Sequence, residues 1–175
     1  MNEIYKDLRF YIPQTITASR VIFTILFFYA YFSDLIILTF IWFICAIFTD
    51  IIDGIIARKL KVTSGFGGYF DVMTDFFLII MAFIAFILKG IYHLWIVILI
   101  GFMFFQFILS SRLKGPIYDP VGKKLFLFLT IIIIIILLFP LPIVCFVCLI
   151  TTVVYCAIAF ITRYISLYYS SKNPK

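Results

Sequence analysis

The sequence predicts an all-α integral membrane protein with six transmembrane helices, preceded by a short N-terminal interfacial helix. Three observations carry this. Hydrophobic residues make up 66% of the 175 positions and mean hydropathy is +1.25, well above the roughly 45–50% apolar usage of soluble domains. The apolar residues run continuously instead of alternating, which disfavours a β-barrel and favours helices that satisfy their own backbone in lipid. Lysine and arginine collect at every second break between runs, as loops on one side of a membrane require.

The runs define the elements in order. Residues Met1 to Tyr11 place Ile4, Leu8 and Tyr11 on one helical face, with Lys6 and Arg9 near the other, a pattern that suits an interfacial helix over 1–12. Six apolar runs near the ~20 residues needed to cross a bilayer follow. They are Ile16 to Phe32, Leu35 to Ala57, Gly68 to Leu88, Tyr92 to Leu109, Leu125 to Phe139 and Leu141 to Tyr164. Asp34 and Lys89 mark the turns after the first and third. Pro140 and Pro142 break the last two apart. Six consecutive isoleucines, Ile131 to Ile136, read as lipid-facing filler.

Orientation follows from the cations. Lys6 and Arg9, Arg58, Lys59 and Lys61, Arg112, Lys114, Lys123 and Lys124, and Arg163, Lys172 and Lys175 all fall on one side, with Arg20 at the inner end of the first span. Lys89 stands alone on the other. The positive-inside rule therefore puts both termini in the cytoplasm. No signal peptide is expected, because the first apolar run follows a mixed charged segment without a small-residue cleavage site.

The net charge of +6 is dispersed over the ends of spans, which points to lipid headgroups or phosphate substrates and not to nucleic acid. Cys45, Cys145, Cys148 and Cys156 lie within spans and read as small packing residues. Cys145 and Cys148 form a CxxC without a second pair, and the one histidine, His93, lies on the far side, so a zinc site is not expected. No repeat or linker divides residues 1–175, which read as a single membrane domain.

Function is written in the acids. Asp50 and Asp53 are three apart and Asp71 and Asp75 four apart, so each pair faces one way on its own helix. An aspartate at the centre of a spanning helix costs about 2.5–3.5 kcal/mol on insertion scales, and too few cations are available nearby to compensate. With the two helices antiparallel, four carboxylates converge near the cytoplasmic interface, and divalent cations are expected to relieve their repulsion. Oxygen-only ligands select magnesium, manganese or calcium, with Mg2+ favoured and Mn2+ able to replace it. Gly54 and Ala57 remove bulk beside this pocket, Arg58 can grip phosphate oxygens bidentately, and Gly65, Gly67 and Gly68 give a flexible backbone where a nucleotide could be met.

Asp50 to Asp75 reads DIIDGIIARKLKVTSGFGGYFDVMTD. This matches DxxDGxxAR, eight residues, then GxxxDxxxD, and resembles the signature of the CDP-alcohol phosphatidyltransferases. The resemblance implies a six-span homodimer that transfers a phosphatidyl-type group from a CDP-linked lipid, CDP-diacylglycerol or CDP-archaeol, to the hydroxyl of a small polar alcohol, releasing CMP. It implies that Asp50, Asp53, Asp71 and Asp75 ligate metal, and that Asp75 is also the general base. It further implies that Asp53, Gly54, Ala57, Arg58 and Gly67 meet the CDP moiety, at the cytoplasmic face of the cell membrane. Such an enzyme serves phospholipid biosynthesis and needs no ATP, since the diphosphate supplies the bond energy.

The acceptor must be read from outside that frame. Arg112, Lys114, Lys123 and Lys124, in the stretch SSRLKGPIYDPVGKK, suit a phosphorylated alcohol such as glycerol 3-phosphate or inositol phosphate. Ile12, Pro13, Thr17 and Arg20 are similar to the IPNxxTxxR opening of phosphatidylglycerophosphate and cardiolipin synthases, with Gln14 in place of asparagine. In place of those enzymes' DPxADK, however, this chain has DVMTDF, which leaves inositol phosphate and serine transferases open. A cleft opening laterally to the inner leaflet is expected. The competing reading is a divalent-cation transporter or channel with an aspartate-lined path. Residues Leu35 to Phe48 and Phe76 to Leu88 carry no ionisable group except Cys45, so such a path would end in mid-membrane.

Overall fold

A computed structural model describes the backbone of residues 2–60, 65–114 and 120–172, and the side chains of 15–56, 69–109 and 124–165. The described residues form helices without a strand: α1 (Asn2–Phe32), α2 (Ile36–Leu60), α3 (Gly65–Leu88), α4 (Trp95–Lys114), α5 (Pro120–Leu138) and α6 (Pro142–Lys172). Six helices stand where six spans are expected. Four hold described stretches long and apolar enough to cross a membrane: Thr15–Phe32, Ile36–Ile56, Tyr69–Leu88 and Pro142–Ile165. The described apolar stretches of α4 and α5, Trp95–Leu109 and Lys124–Leu138, are shorter.

One boundary differs from the sequence reading. The expected interfacial helix is not a separate element but the N-terminal part of α1, which runs unbroken through Pro13. Pro13 removes one backbone donor, yet QTITASR after it holds neither glycine nor a second proline, so nothing ends the helix.

The chain falls into two compact units, Met1–Ala85 and Phe86–Lys175. In the first, α1 and α2 form an antiparallel hairpin closed by a tight C-terminal cap. Asp34 adopts a left-handed φ of 58°. The amide of Leu35 donates to the Ala30 carbonyl at 2.9 Å and that of Asp34 to the Tyr31 carbonyl at 3.3 Å, the paired bonds of a Schellman motif. Phe27 of α1 meets Phe43 of α2 at 5.3 Å between ring centroids, and Phe23 stacks on Trp42 at 5.9 Å. Ala30 and Ala46 are buried. Because lipid tails are as apolar as these side chains, close packing rather than hydrophobic transfer holds such helices together.

The buried stripes run straight into the acids. On α1 the stripe is Thr17, Arg20, Thr24 and Phe27; on α2 it is Thr39, Phe43, Ala46 and Asp53; on α3 it is Thr74, Leu78, Ala82 and Ala85. Each advances by three, four or seven residues, so one helical face carries both core and polar groups.

In the second unit α3 ends in another Schellman cap, now on glycine. Gly90 has a φ of 75°, with bonds from Ile91 to the Phe86 carbonyl and from Gly90 to the Ile87 carbonyl, both 2.9 Å. Tyr92 sits edge-on to Phe86 and donates its hydroxyl to the Cys145 carbonyl at 2.8 Å. Pro142 opens α6 where its missing amide costs nothing. Phe128 of α5 stacks on Tyr155 of α6 at 4.2 Å, and Phe102 of α4 on Phe160 at 6.1 Å. Arg163 is buried on α6, donating to the Met103 carbonyl and lying 5.7 Å over the Phe107 ring.

The isoleucine run is only partly filler. Ile132, Ile133 and Ile136 are buried while Ile131 is exposed, because six consecutive helical residues sweep more than one full turn and must present side chains all round. The cysteines are free, and Cys145, Cys148 and Cys156 are buried, in keeping with a packing role.

Candidate active site

Asp50 and Asp53 project from the end of α2, and Asp71 and Asp75 from the first half of α3, as their spacing predicts. Carboxylate oxygens of Asp50, Asp53 and Asp71 lie within 4.8 Å of one another. Among the described residues this is where histidine, cysteine and acidic side chains gather closely enough to hold a metal ion. Asp75 belongs to the same cluster but stands outside that trio.

The group that joins all four is Arg20, whose side chain is 0% exposed. Its Nη2 donates to Asp50 Oδ1 at 3.1 Å and to Asp53 Oδ2 at 2.8 Å. Its Nη1 donates to Asp71 Oδ1 at 3.1 Å, to Thr74 Oγ1 at 3.2 Å and to Asp75 Oδ1. Thr17, one turn earlier on α1, donates to Asp53 Oδ2 at 2.9 Å. Thr74 donates in turn to the Asp71 carbonyl at 2.8 Å. The expectation that cations are scarce around the acids is corrected here, since α1 inserts one between both pairs. The available signal was energetic: an arginine inside an apolar run requires a partner, and Thr17 and Thr24 flank it in helical register.

Exposure grades the cluster. The side chains of Asp50 and Asp71 are 33% and 39% exposed, those of Asp53 and Asp75 only 6% and 16%. The first two form a mouth and the other two a floor. One guanidinium against four carboxylates leaves the cluster negative. Burying unpaired carboxylates costs several kcal/mol each, so this arrangement is poised to take up positive charge.

The donor set fits a hard divalent cation: it is all oxygen, three ligands converge, and two of them are open to the outside. Arg20 meets each carboxylate through a single oxygen, and a carboxylate offers about four lone-pair sites on two oxygens. Guanidinium and cation can therefore share the same acids.

Gly54 follows Asp53 on α2, and a Cβ built there meets nothing within 4 Å. Space beside the acids is thus open at this position. Ala57 and Arg58 lie in α2 and Gly67 in α3, while Arg112 and Lys114 lie in α4 and Lys123 in α5. The side chains at these six positions fall outside the described residues. Lys124 is exposed at the start of the described part of α5.

The chain is similar to known proteins. The CDP-diacylglycerol–glycerol-3-phosphate 3-phosphatidyltransferase of Wigglesworthia glossinidia brevipalpis is 33% identical over 120 residues, covering 67% of this chain and 65% of that protein. The chain thus spans just under two thirds of that relative's length. A model of the CDP-alcohol phosphatidyltransferase family matches residues 10–165, from α1 with Thr17 and Arg20 through both aspartate pairs to Ile165 within α6. With its acids gathered from two helices and nearly its whole length matched, the chain belongs to the CDP-alcohol phosphatidyltransferase family.

Proposed function

We propose that this protein transfers the phosphatidyl group of a CDP-linked lipid to the hydroxyl of a small polar alcohol and releases CMP, as a step of phospholipid biosynthesis. The observation that carries it is the convergence of Asp50, Asp53 and Asp71 within 4.8 Å, inside the stretch the family matches. Glycerol 3-phosphate is the favoured acceptor. The name of the Wigglesworthia relative supports it, as does the Ile12, Pro13, Thr17, Arg20 opening.

The roles follow from position. Asp50, Asp53 and Asp71 hold Mg2+, or Mn2+ in its place, with Asp75 completing the set. When bound, the cation supplies positive charge against the diphosphate and the departing CMP. Gly54, Ala57 and Gly67 leave room for the CDP moiety, and Arg58 contacts its phosphates. Asp75 accepts the proton of the acceptor hydroxyl as that oxygen attacks phosphorus. Arg112, Lys114 and Lys123 receive the acceptor's own phosphate.

The chain works as a single catalytic domain of six spans, with both termini and the site at the cytoplasmic face of the cell membrane. The one-sided distribution of lysine and arginine supports that orientation. Assembly as a homodimer rests on the resemblance to the family. The site opens to the inner leaflet, where the lipid substrate resides.

The test is CMP release from CDP-diacylglycerol by purified protein with Mg2+ and a panel of glycerol 3-phosphate, inositol phosphate, serine and inositol. Release with glycerol 3-phosphate alone is the expected result. Release with another alcohol replaces the acceptor, and no release with any, from diacyl or archaeal ether donors, overturns the proposal.

A further inference from the structure

We infer that Arg20 is a positioning residue that preassembles the carboxylate cluster before any divalent cation binds. The inference rests on the metal reading above.

Among the described residues, its guanidinium is the group that touches both aspartate pairs. One terminal nitrogen serves Asp50 and Asp53 of α2, the other Asp71 and Asp75 of α3. The planar fork matches that division, because each nitrogen of an arginine points two N–H bonds in fixed directions. A lysine ammonium is a point charge and cannot divide itself so. Arg20 is fully buried, Thr24 donates to its backbone carbonyl at 2.8 Å, and Thr17 fixes the Asp53 oxygen that Arg20 also holds. The guanidinium is carried in by α1 and held by side chains of α2 and α3, so protein groups and not a ligand set its place. Its Nε is buried without a hydrogen-bond partner among the described residues.

The consequence is physical. Without cation, four carboxylates on two helices repel, and this residue offsets that repulsion while leaving the cluster net negative. A cation then enters a frame that already exists. Removing Arg20 should make the frame depend on the cation, a dependence that a packing role alone does not create.

The test uses the full chain in detergent. Apparent unfolding midpoints are recorded in EDTA and in saturating Mg2+, and bound Mn2+ is read by electron paramagnetic resonance. Arg20→Met should lower the midpoint in EDTA by about 10 °C, and Mg2+ should restore more than half of the loss, so that the cation stabilises the variant more than the wild type. Arg20→Lys should show a smaller loss, again restored. Thr24→Val, a buried control on the same helix, should lose the same amount in both conditions.

A midpoint for Arg20→Met equal to wild type in EDTA, or a loss that Mg2+ leaves unchanged, overturns the inference. Should Arg20→Met fail to fold, the same comparison on Arg20→Lys decides. Wild type without bound Mn2+ overturns the metal reading and the inference with it. Mn2+ bound by wild type, beside a cation-independent loss in the variants, overturns the inference alone.

Discussion

Arg20 Nη2 lies 2.8 Å from Asp53 Oδ2, and Thr17 donates to the same oxygen at 2.9 Å. Asp53 is also the least exposed of the four acids. Two donors on one oxygen orient its carboxylate relative to Asp50 and Asp71, which is how a surrounding shell usually fixes a metal ligand.

Asp53→Asn keeps the size of the side chain and removes its charge. Cation affinity should fall at least 10-fold and transfer about 100-fold or more. Titration with Mn2+ and CMP release measure the two.

Asp75→Asn separates ligand from base. Asp75 lies outside the trio, so Mn2+ affinity should fall less than in Asp53→Asn, while turnover falls by about 100-fold or more, the usual contribution of a general base. Equal losses of affinity in both variants would argue that Asp75 serves the cation as fully as Asp53 does, and that its effect on turnover is a ligand's and not a base's.

Gly54→Ala distinguishes substrate space from structure. The added methyl meets nothing within 4 Å, and alanine is favoured over glycine in a helix by about 1 kcal/mol. Thermal stability should hold or rise, whereas KM for the CDP-linked lipid should increase several-fold if the nucleotide passes here. An unchanged KM would remove Gly54 from the binding surface.

Gly90→Ala examines the cap of α3 in the second unit. Its Cβ also meets nothing, so the cost is that of the left-handed φ alone, about 1–2 kcal/mol. A lower unfolding midpoint with unaltered CMP release is the expected outcome, because the change is at the opposite end of α3 from Asp71 and Asp75.

Chelation completes the set. EDTA should abolish CMP release, and Mg2+ or Mn2+ should restore it, while the wild-type helices remain folded because Arg20 still spans the acids. Far-ultraviolet circular dichroism with and without EDTA checks the second point.

Much of this was legible in the sequence because it depends on local patterns. Continuous apolar runs give helices, proline and the Asp34 region give breaks, and the spacings of Asp50 with Asp53 and Asp71 with Asp75 give their faces. Each needs only the helical period and the cost of charge in lipid. The gathering of the acids was likewise legible, since Asp50 to Asp75 fall within 26 consecutive residues. What escaped depends on partners distant in sequence. Arg20 is 30 residues from Asp50 and 55 from Asp75, and Pro13 could equally have ended a helix or been absorbed by one. The buried isoleucines of the run, Ile132, Ile133 and Ile136, could not be told from the others, because identical residues carry no facial pattern. Sequence determined which side chains are available and on which helical face. Tertiary structure decided that α1 places its buried Arg20 among all four acids, because only the packing of three helices sets those distances.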